Sequence, residues 1–146
     1  MIVRVLDEAL ASKCDELLTK LIADERQYDK EVEEGIVVKD YFKNVITNKN
    51  NIILCYIEDD IVKGYAYFRA SYNYNEKGYI IDGLYVLDEY RNQGIATKLI
   101  KHGMDIIKQN GATFVDINAL AANEIALKLY KSLGFKEFKI GLRTYI

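Results

Sequence analysis

The sequence predicts a mixed α/β fold over its 146 residues, and three observations carry that prediction. An apolar, strand-like run ending at Leu87 leads into a strongly amphipathic helix and then into a second apolar run, Phe114 to Ala119. Such a strand-helix-strand unit implies a parallel pair joined by a right-handed crossover. Two further apolar runs, separated only by Asp59-Asp60, read as an antiparallel hairpin. Four helical segments accompany these strands, each marked by apolar spacing or by its capping residues.

The elements follow in order. Ile2 to Leu6 reads as a first strand. Asp7 or Ser12 can cap a helix whose apolar stripe runs through Leu10, Cys14, Leu17, Leu18 and Leu21. The polar stretch Asp24 to Gly35 separates it from a second helix around Asp40 to Ile46. Ile52 to Glu58 and Ile61 to Ser71 form the hairpin, and Tyr79 to Leu87 is the next strand. From Gly94 to Asn110, Ala96, Leu99, Ile100, Gly103, Ile106 and Ile107 recur at helical spacing, and Asn110-Gly111 is a normal stop. Phe114 to Ala119 is a strand, and Asn123 to Leu133 is a helix stopped by Gly134. Lys136 to Ile146 reads as two short strands, or as one strand bent at Gly141. With no proline in the chain, turns must be built from Gly, Asn and Asp.

Length points to a single domain over residues 1–146, large enough to bury a core without metal or disulfide staples. No apolar run is long enough to span a bilayer and no leader precedes the first strand, so the expected location is the cytoplasm, with no membrane partner. The formal net charge is −2 and Lys and Arg are scattered, which argues against a nucleic-acid partner held by phosphate contacts. Cys14 and Cys55 lack CxxC spacing, so they suggest neither a zinc site nor a redox pair, and both read as small buried hydrophobes. His102, the single histidine, falls among Lys98, Lys101 and Asp105 on the polar side of its helix. A solvated imidazole there supports neither a catalytic triad nor a metal site.

The most informative segment is Leu84-Tyr85-Val86-Leu87-Asp88-Glu89-Tyr90-Arg91-Asn92-Gln93-Gly94-Ile95-Ala96-Thr97, where a strand passes into a helix start. The first amides of a helix have no intrahelical partner and lie at the positive end of its dipole, so they suit a phosphate. Gly94 and the small Ala96 let phosphates approach the backbone, Asn92, Gln93 and Thr97 add side-chain donors, and Arg91 adds a positive charge. Arg91 also has Asp88 and Glu89 within reach as surface ion-pair partners.

The spacing Arg91-x-x-Gly94-x-Ala96 resembles the signature of the GCN5-related N-acetyltransferases (GNAT), which grips the pyrophosphate of acetyl-coenzyme A. A second block, Asn123-x-x-Ala126-x-x-x-Tyr130-x-x-x-Gly134-Phe135, is similar to a later motif of the same family. The resemblance implies a mixed, mostly antiparallel sheet with a splayed parallel strand pair, flanked by about four helices. It places the pantetheine arm beside the backbone of Leu84, Tyr85 and Val86. It also places the pyrophosphate among the amides of Asn92, Gln93, Gly94, Ile95, Ala96 and Thr97.

The implied reaction is transfer of an acetyl group from acetyl-CoA to a primary amine by direct attack in a ternary complex. Asn123, Ala126 and Tyr130 share one helix face, with Ile125, Leu129 and Leu133 on a neighbouring core stripe. By resemblance Tyr130 is the general acid that protonates the departing thiolate, and Asn123 hydrogen-bonds the pantetheine. Asp82 shares a strand face with Ile80, Leu84 and Val86, where an acid is out of place, and is the candidate base, directly or through water.

Acceptor choice in such proteins is implied to lie in Asp24 to Asp40 and Ser71 to Lys77. The first carries Asp24, Glu25, Asp29, Glu31, Glu33 and Glu34, and the second Tyr72 and Tyr74, a combination suited to a cationic small-molecule or peptide amine. The alternative is a non-catalytic acyl-CoA-binding or protein-interaction module, which would have no need of a proton donor at Tyr130. Leu142 to Ile146 offers a strand edge for pairing into a homodimer.

Overall fold

The computed structural model describes residues 1–73 and 76–146. Strand β1 (Ile2–Arg4) leads to helix α1 (Glu8–Glu25), then to the single helical turn α2 (Phe42–Val45). Strands β2 (Ile52–Glu58), β3 (Ile61–Asn73) and β4 (Glu76–Val86) follow, then helix α3 (Ile95–Gln109), strand β5 (Phe114–Ile117) and helix α4 (Glu124–Ser132). The sheet order is β1-β2-β3-β4-β5, antiparallel throughout except for the parallel pair β4-β5 that α3 connects.

Local chemistry accounts for the element boundaries. Of the two candidate caps, Asp7 is the one used: its carboxylate accepts the Leu10 N–H at 2.8 Å and so satisfies one of the orphan amides of α1. Asp59 and Asp60 both take positive φ, 54° and 59°, the backbone sense of a two-residue hairpin turn whose twist matches its strands.

Two cores lie on opposite faces of the sheet. One packs α3 through Ile95, Leu99, Ile100 and Ile107 against Ile52, Leu54, Ala66, Phe68, Tyr79, Ile81 and Val86. Gly103 is what lets α3 approach, since a side chain there would overlap the Phe68 ring. On the other face Ala11, Cys14, Leu17 and Phe42 cover Val5, Ile53, Cys55, Tyr65, Tyr67 and Tyr85. Cys14 and Cys55 are both fully buried, as expected of small hydrophobes, although the fold brings their Sγ atoms to 3.4 Å as a hydrogen-bonded thiol pair. That hydrogen bond, with burial behind it, pushes the Cys14 thiol well above its ordinary pKa.

One expected element is absent. Residues 136–146 form no strand, every one of them is exposed, and no backbone hydrogen bond involving them is present among the described residues. The sheet therefore ends at β5, which has only β4 beside it. A strand exists only through its ladder partners, and the tail instead reaches the loop after α1, where Arg143 meets Asp29.

Candidate active site

The signature loop is shaped by its backbone. A 3₁₀ turn, Asp88–Tyr90, ends β4, and the chain then takes positive φ at Asn92 (63°) and Gly94 (78°) before entering α3. Gly94 is the N-cap and supplies no capping side chain. In consequence, none of the six successive amides from Asn92 to Thr97 has an acceptor among the described residues, the first bond of the helix being Lys98 N–H to Gly94 O at 3.0 Å. Six unpaired N–H groups around the positive end of a fifteen-residue helix make a strong anion cradle. The residues thus fit a pyrophosphate. Ile95 contributes its amide alone, because its side chain is 3% exposed in the core.

Arg91 is committed within the protein. Its Nε donates to Val86 O at 2.9 Å, its Nη2 to Asp24 at 3.0 Å and its Nη1 to Asp88 at 3.3 Å, while the guanidinium lies 5.1 Å from the centre of the Tyr85 ring. The surface pairing with Asp88 is real, and Asp24, which is 67 positions away, is an additional partner. These bonds tie the loop to both β4 and the end of α1.

Beside the loop, the parallel strands part. β4 and β5 pair only from Gly78/Phe114 to Ile81/Ile117, so Asp82 to Val86 have β3 on one side and no strand on the other. Leu87 N–H donates to Lys63 O and Tyr85 pairs with Tyr65, so alternation turns the backbone groups of Leu84 and Val86 into the gap. Tyr85 does not share that orientation: its backbone is committed to β3 and its ring to the opposite core, where burial, reinforced by the Asp24 charge, raises the phenol pKa.

Asp82 corrects the sequence reading. The β3–β4 register shifts between Tyr67↔Gly83 and Phe68↔Ile81, leaving Asp82 as the extra residue of a β-bulge. The bulge breaks the alternation, so Leu84 and Val86 pack toward α3 whereas Asp82 lies on the other face, where its charge acts on Tyr41, Tyr65 and Tyr67. Its side chain is 40% exposed and accepts from Arg69 Nε at 3.0 Å. The apolar surroundings inferred from strict alternation are therefore not there. Burial first, and then the neighbouring Tyr41 and Asp82 charges, push the Tyr67 phenol up to about 12.

In the second block, Asn123 is the N-cap of α4, its Oδ1 accepting Ala126 N–H at 3.2 Å, which leaves the side-chain NH₂ group with no partner among the described residues. Tyr130 and Leu133 pack at the edge of the α3-side core, with the Tyr130 ring 6.2 Å from that of Phe135 in an edge-on arrangement. Burial raises the Tyr130 phenol above its ordinary pKa. The proposed core stripe is wrong at Ile125, which is 82% exposed, because the packing of α4 on the core runs through Tyr130 and Leu133 at its C-terminal end.

On the acceptor side, three of the six acids are neutralised internally: Asp24 by Arg91, Asp29 by Arg143 and Glu34 by Arg26. Glu25, at the end of α1, has a pKa raised by burial and then by the nearby Asp29. Tyr74 and the side chain of Tyr72 lie outside the described residues. His102 is exposed, as its position on α3 requires. No group of His, Cys, Asp or Glu suited to a metal ion occurs among the described residues, nor any helix long and apolar enough to cross a membrane.

Sequence reasoning missed the pairing of Asp24 with Arg91, the pairing of Arg69 with Asp82, and the bulge. No local signal marks them, since each acts through a partner brought close only by folding.

The sequence matches the model of the acetyltransferase (GNAT) family across residues 15–135. It is 40% identical over 70 residues to N-alpha-acetyltransferase 30 of Schizosaccharomyces pombe, covering 48% of this chain and 46% of that protein. It is 34% identical over 94 residues to the N-alpha-acetyltransferase of Sulfurisphaera tokodaii, covering 64% and 55%. The chain thus spans about half the length of these relatives. A solved structure of the aminoglycoside N-acetyltransferase AAC(6')-Iy in complex with CoA superposes over all of both chains with a TM-score of 0.76 at 18% identity, a likeness of fold.

Proposed function

Because the chain belongs to the GNAT acetyltransferase family, we propose that residues 1–146 act as one domain, an acetyl-CoA-dependent N-acetyltransferase that acetylates a primary amine of a small molecule or peptide by direct attack in a ternary complex. The observation that carries this reading is the run of six unpaired amides, Asn92 to Thr97, beside a strand whose Leu84 backbone groups and Val86 N–H face a side without a strand, the Val86 carbonyl being taken by Arg91. Asn92, Gln93, Gly94, Ile95, Ala96 and Thr97 would hold the pyrophosphate, with Arg91 keeping the loop in shape. Leu84, Val86 and the Asn123 amide would hold the pantetheine.

Acetyl-CoA, when bound, supplies the thioester carbonyl and the thiolate leaving group. The Val86 N–H is positioned as the donor for charge developing on the carbonyl oxygen. Tyr130 gives a proton to the departing sulfur, and its raised pKa keeps that proton in place at neutral pH. Asp82 takes a proton from the amine through water, with Arg69 fixing the orientation of its carboxylate. The cytoplasm suits this reading, since reducing conditions keep the Cys14–Cys55 pair, 3.4 Å apart, as thiols.

The acceptor is read as a cationic amine. Glu25, Glu31 and Glu33 are the acids of the α1–α2 segment outside its ion pairs, and N-terminal amines, the targets in the names of two relatives, fall in this class.

Release of free thiol from acetyl-CoA in the presence of polyamines, aminoglycosides, lysine-bearing peptides and free peptide N-termini tests the activity. Turnover on any of them establishes the class. Coenzyme A raising the melting temperature without turnover on any would favour a binding module instead, and no stabilisation would remove the phosphate cradle itself. The base is tested separately: Asp82→Asn should lower kcat by about 10²-fold or more while the affinity for coenzyme A is kept. Undiminished turnover in Asp82→Asn would place the base elsewhere.

A further inference from the structure

Asp24 stands where a helix least favours an acid. It lies in the last turn of α1 together with Glu25, at the negative end of the helix dipole, and that turn contains no basic residue. Arg26, just beyond, is spent on Val32 O at 2.9 Å and on Glu34 at 2.7 Å. The cation that meets Asp24 comes from 67 positions away: Arg91 Nη2 donates to its carboxylate at 3.0 Å. The same guanidinium holds Val86 O at 2.9 Å and Asp88 at 3.3 Å. One side chain thus joins the cradle loop, the end of β4 and the end of α1.

What hangs on that end of α1 is the segment read as the acceptor side. Gln27 N–H donates to Asp24 O at 3.3 Å, and the Tyr28 and Asp29 amides donate to Glu25 O at 3.0 and 2.9 Å. Residues 30–41 then belong to no helix or strand. Their ties include the Asp29 pair with Arg143 and Val38 N–H to Thr19 Oγ1 at 3.0 Å. A segment with so few backbone bonds lies at the low-stability end of a fold, so its first anchored turn matters. On the other side of Arg91, the amides of Asn92 to Thr97 have no acceptor among the described residues. An anion bridging them would fix the loop backbone, and with it the base of the Arg91 side chain.

We propose that Asp24 is a positioning residue that couples the two halves of the site. Occupancy of the amide cradle fixes Arg91, Arg91 fixes Asp24, and Asp24 fixes the turn from which the acceptor segment starts. Coenzyme A binding therefore orders the segment that receives the amine. By reciprocity, whatever fixes that segment tightens coenzyme A by the same factor. The inference rests on the acetyl-transfer reading for what each half binds.

Hydrogen exchange at Gln27, Tyr28 and Asp29 in the full chain, with and without saturating coenzyme A, tests it. In the wild-type chain coenzyme A should slow these amides by about fivefold or more, from the lower end of such couplings upward. In Asp24→Asn coenzyme A should still raise the melting temperature but should no longer change their exchange. The ratio of the two rates separates coupling from a purely structural part, since loss of a helix-end contact alone would speed exchange in both states and leave the ratio as it was. A ratio retained in Asp24→Asn would overturn the inference. So would a wild-type chain that binds coenzyme A without slowing these amides. A wild-type chain that does not bind coenzyme A would overturn the cradle reading, and this inference with it.

Discussion

Tyr130→Phe should lower kcat by about 10²–10⁴-fold while leaving the affinity for coenzyme A unchanged, the range expected when a positioned proton donor is lost. The ring stays: its packing at the edge of the α3-side core and its edge-on contact with Phe135 involve carbon atoms that Phe preserves. The hydroxyl has no hydrogen-bond partner among the described residues, so removing it should cost little stability. Burial raises the phenol pKa, which works in the direction an acid requires. The group stays protonated through neutral pH and up to its ordinary value of about 10 or beyond, so loss of this acid should not limit the rate below that pH. Single-turnover kinetics together with calorimetric titration of coenzyme A separates the two effects. Undiminished turnover would remove Tyr130 as the acid, and a parallel loss of affinity would make it a binding residue.

Gly94→Ala should weaken coenzyme A binding by about an order of magnitude with the fold retained. The φ of 78° is in the left-handed region, which costs an alanine roughly 1–2 kcal/mol. Among the described residues, none beyond its chain neighbours has an atom within 4 Å of the added methyl, so it meets open space rather than the core. The added carbon would lie within the run of six unpaired amides, and relieving the strain would rotate the flanking peptide groups out of their present directions. Calorimetry with coenzyme A reads the affinity, and thermal unfolding should show a decrease of only a few degrees. Equal affinity in the variant and the wild-type chain would mean that the cradle does not hold the pyrophosphate.

The stronger sequence signals and the misread ones differ in a physical way. The α3 stripe, the Asp59-Asp60 turn and the Asp7 cap act over a few residues, and each is observed where the local chemistry puts it. The face of Asp82 differs from the sequence reading because strand alternation holds only in an unbroken ladder; one extra residue at the bulge reverses the faces of everything after it, so Leu84 and Val86 lie on the side away from Asp82. Ile125 was misassigned because helical periodicity identifies a face but not how far along the helix the core extends. The tail fits a strand pattern that has no ladder in its own chain, since a sequence can supply alternation but not an adjacent edge.

By itself the sequence determined the mixed α/β class, the order of the sheet-forming segments as far as β5, and a glycine-bearing strand-to-helix junction in front of a long amphipathic helix. All of these rest on contacts within a few residues or on a period that one face of a core imposes. Only the tertiary structure decided which side of β4 Asp82 occupies, that Arg91 is held by Val86, Asp88 and Asp24, and that Cys14 meets Cys55. It also decided that β4 and β5 part after Ile81. Apart from the local pairings of Arg91 with Val86 and Asp88, these features depend on ladder register or on groups far apart in the chain, and neither is set until the sheet has assembled.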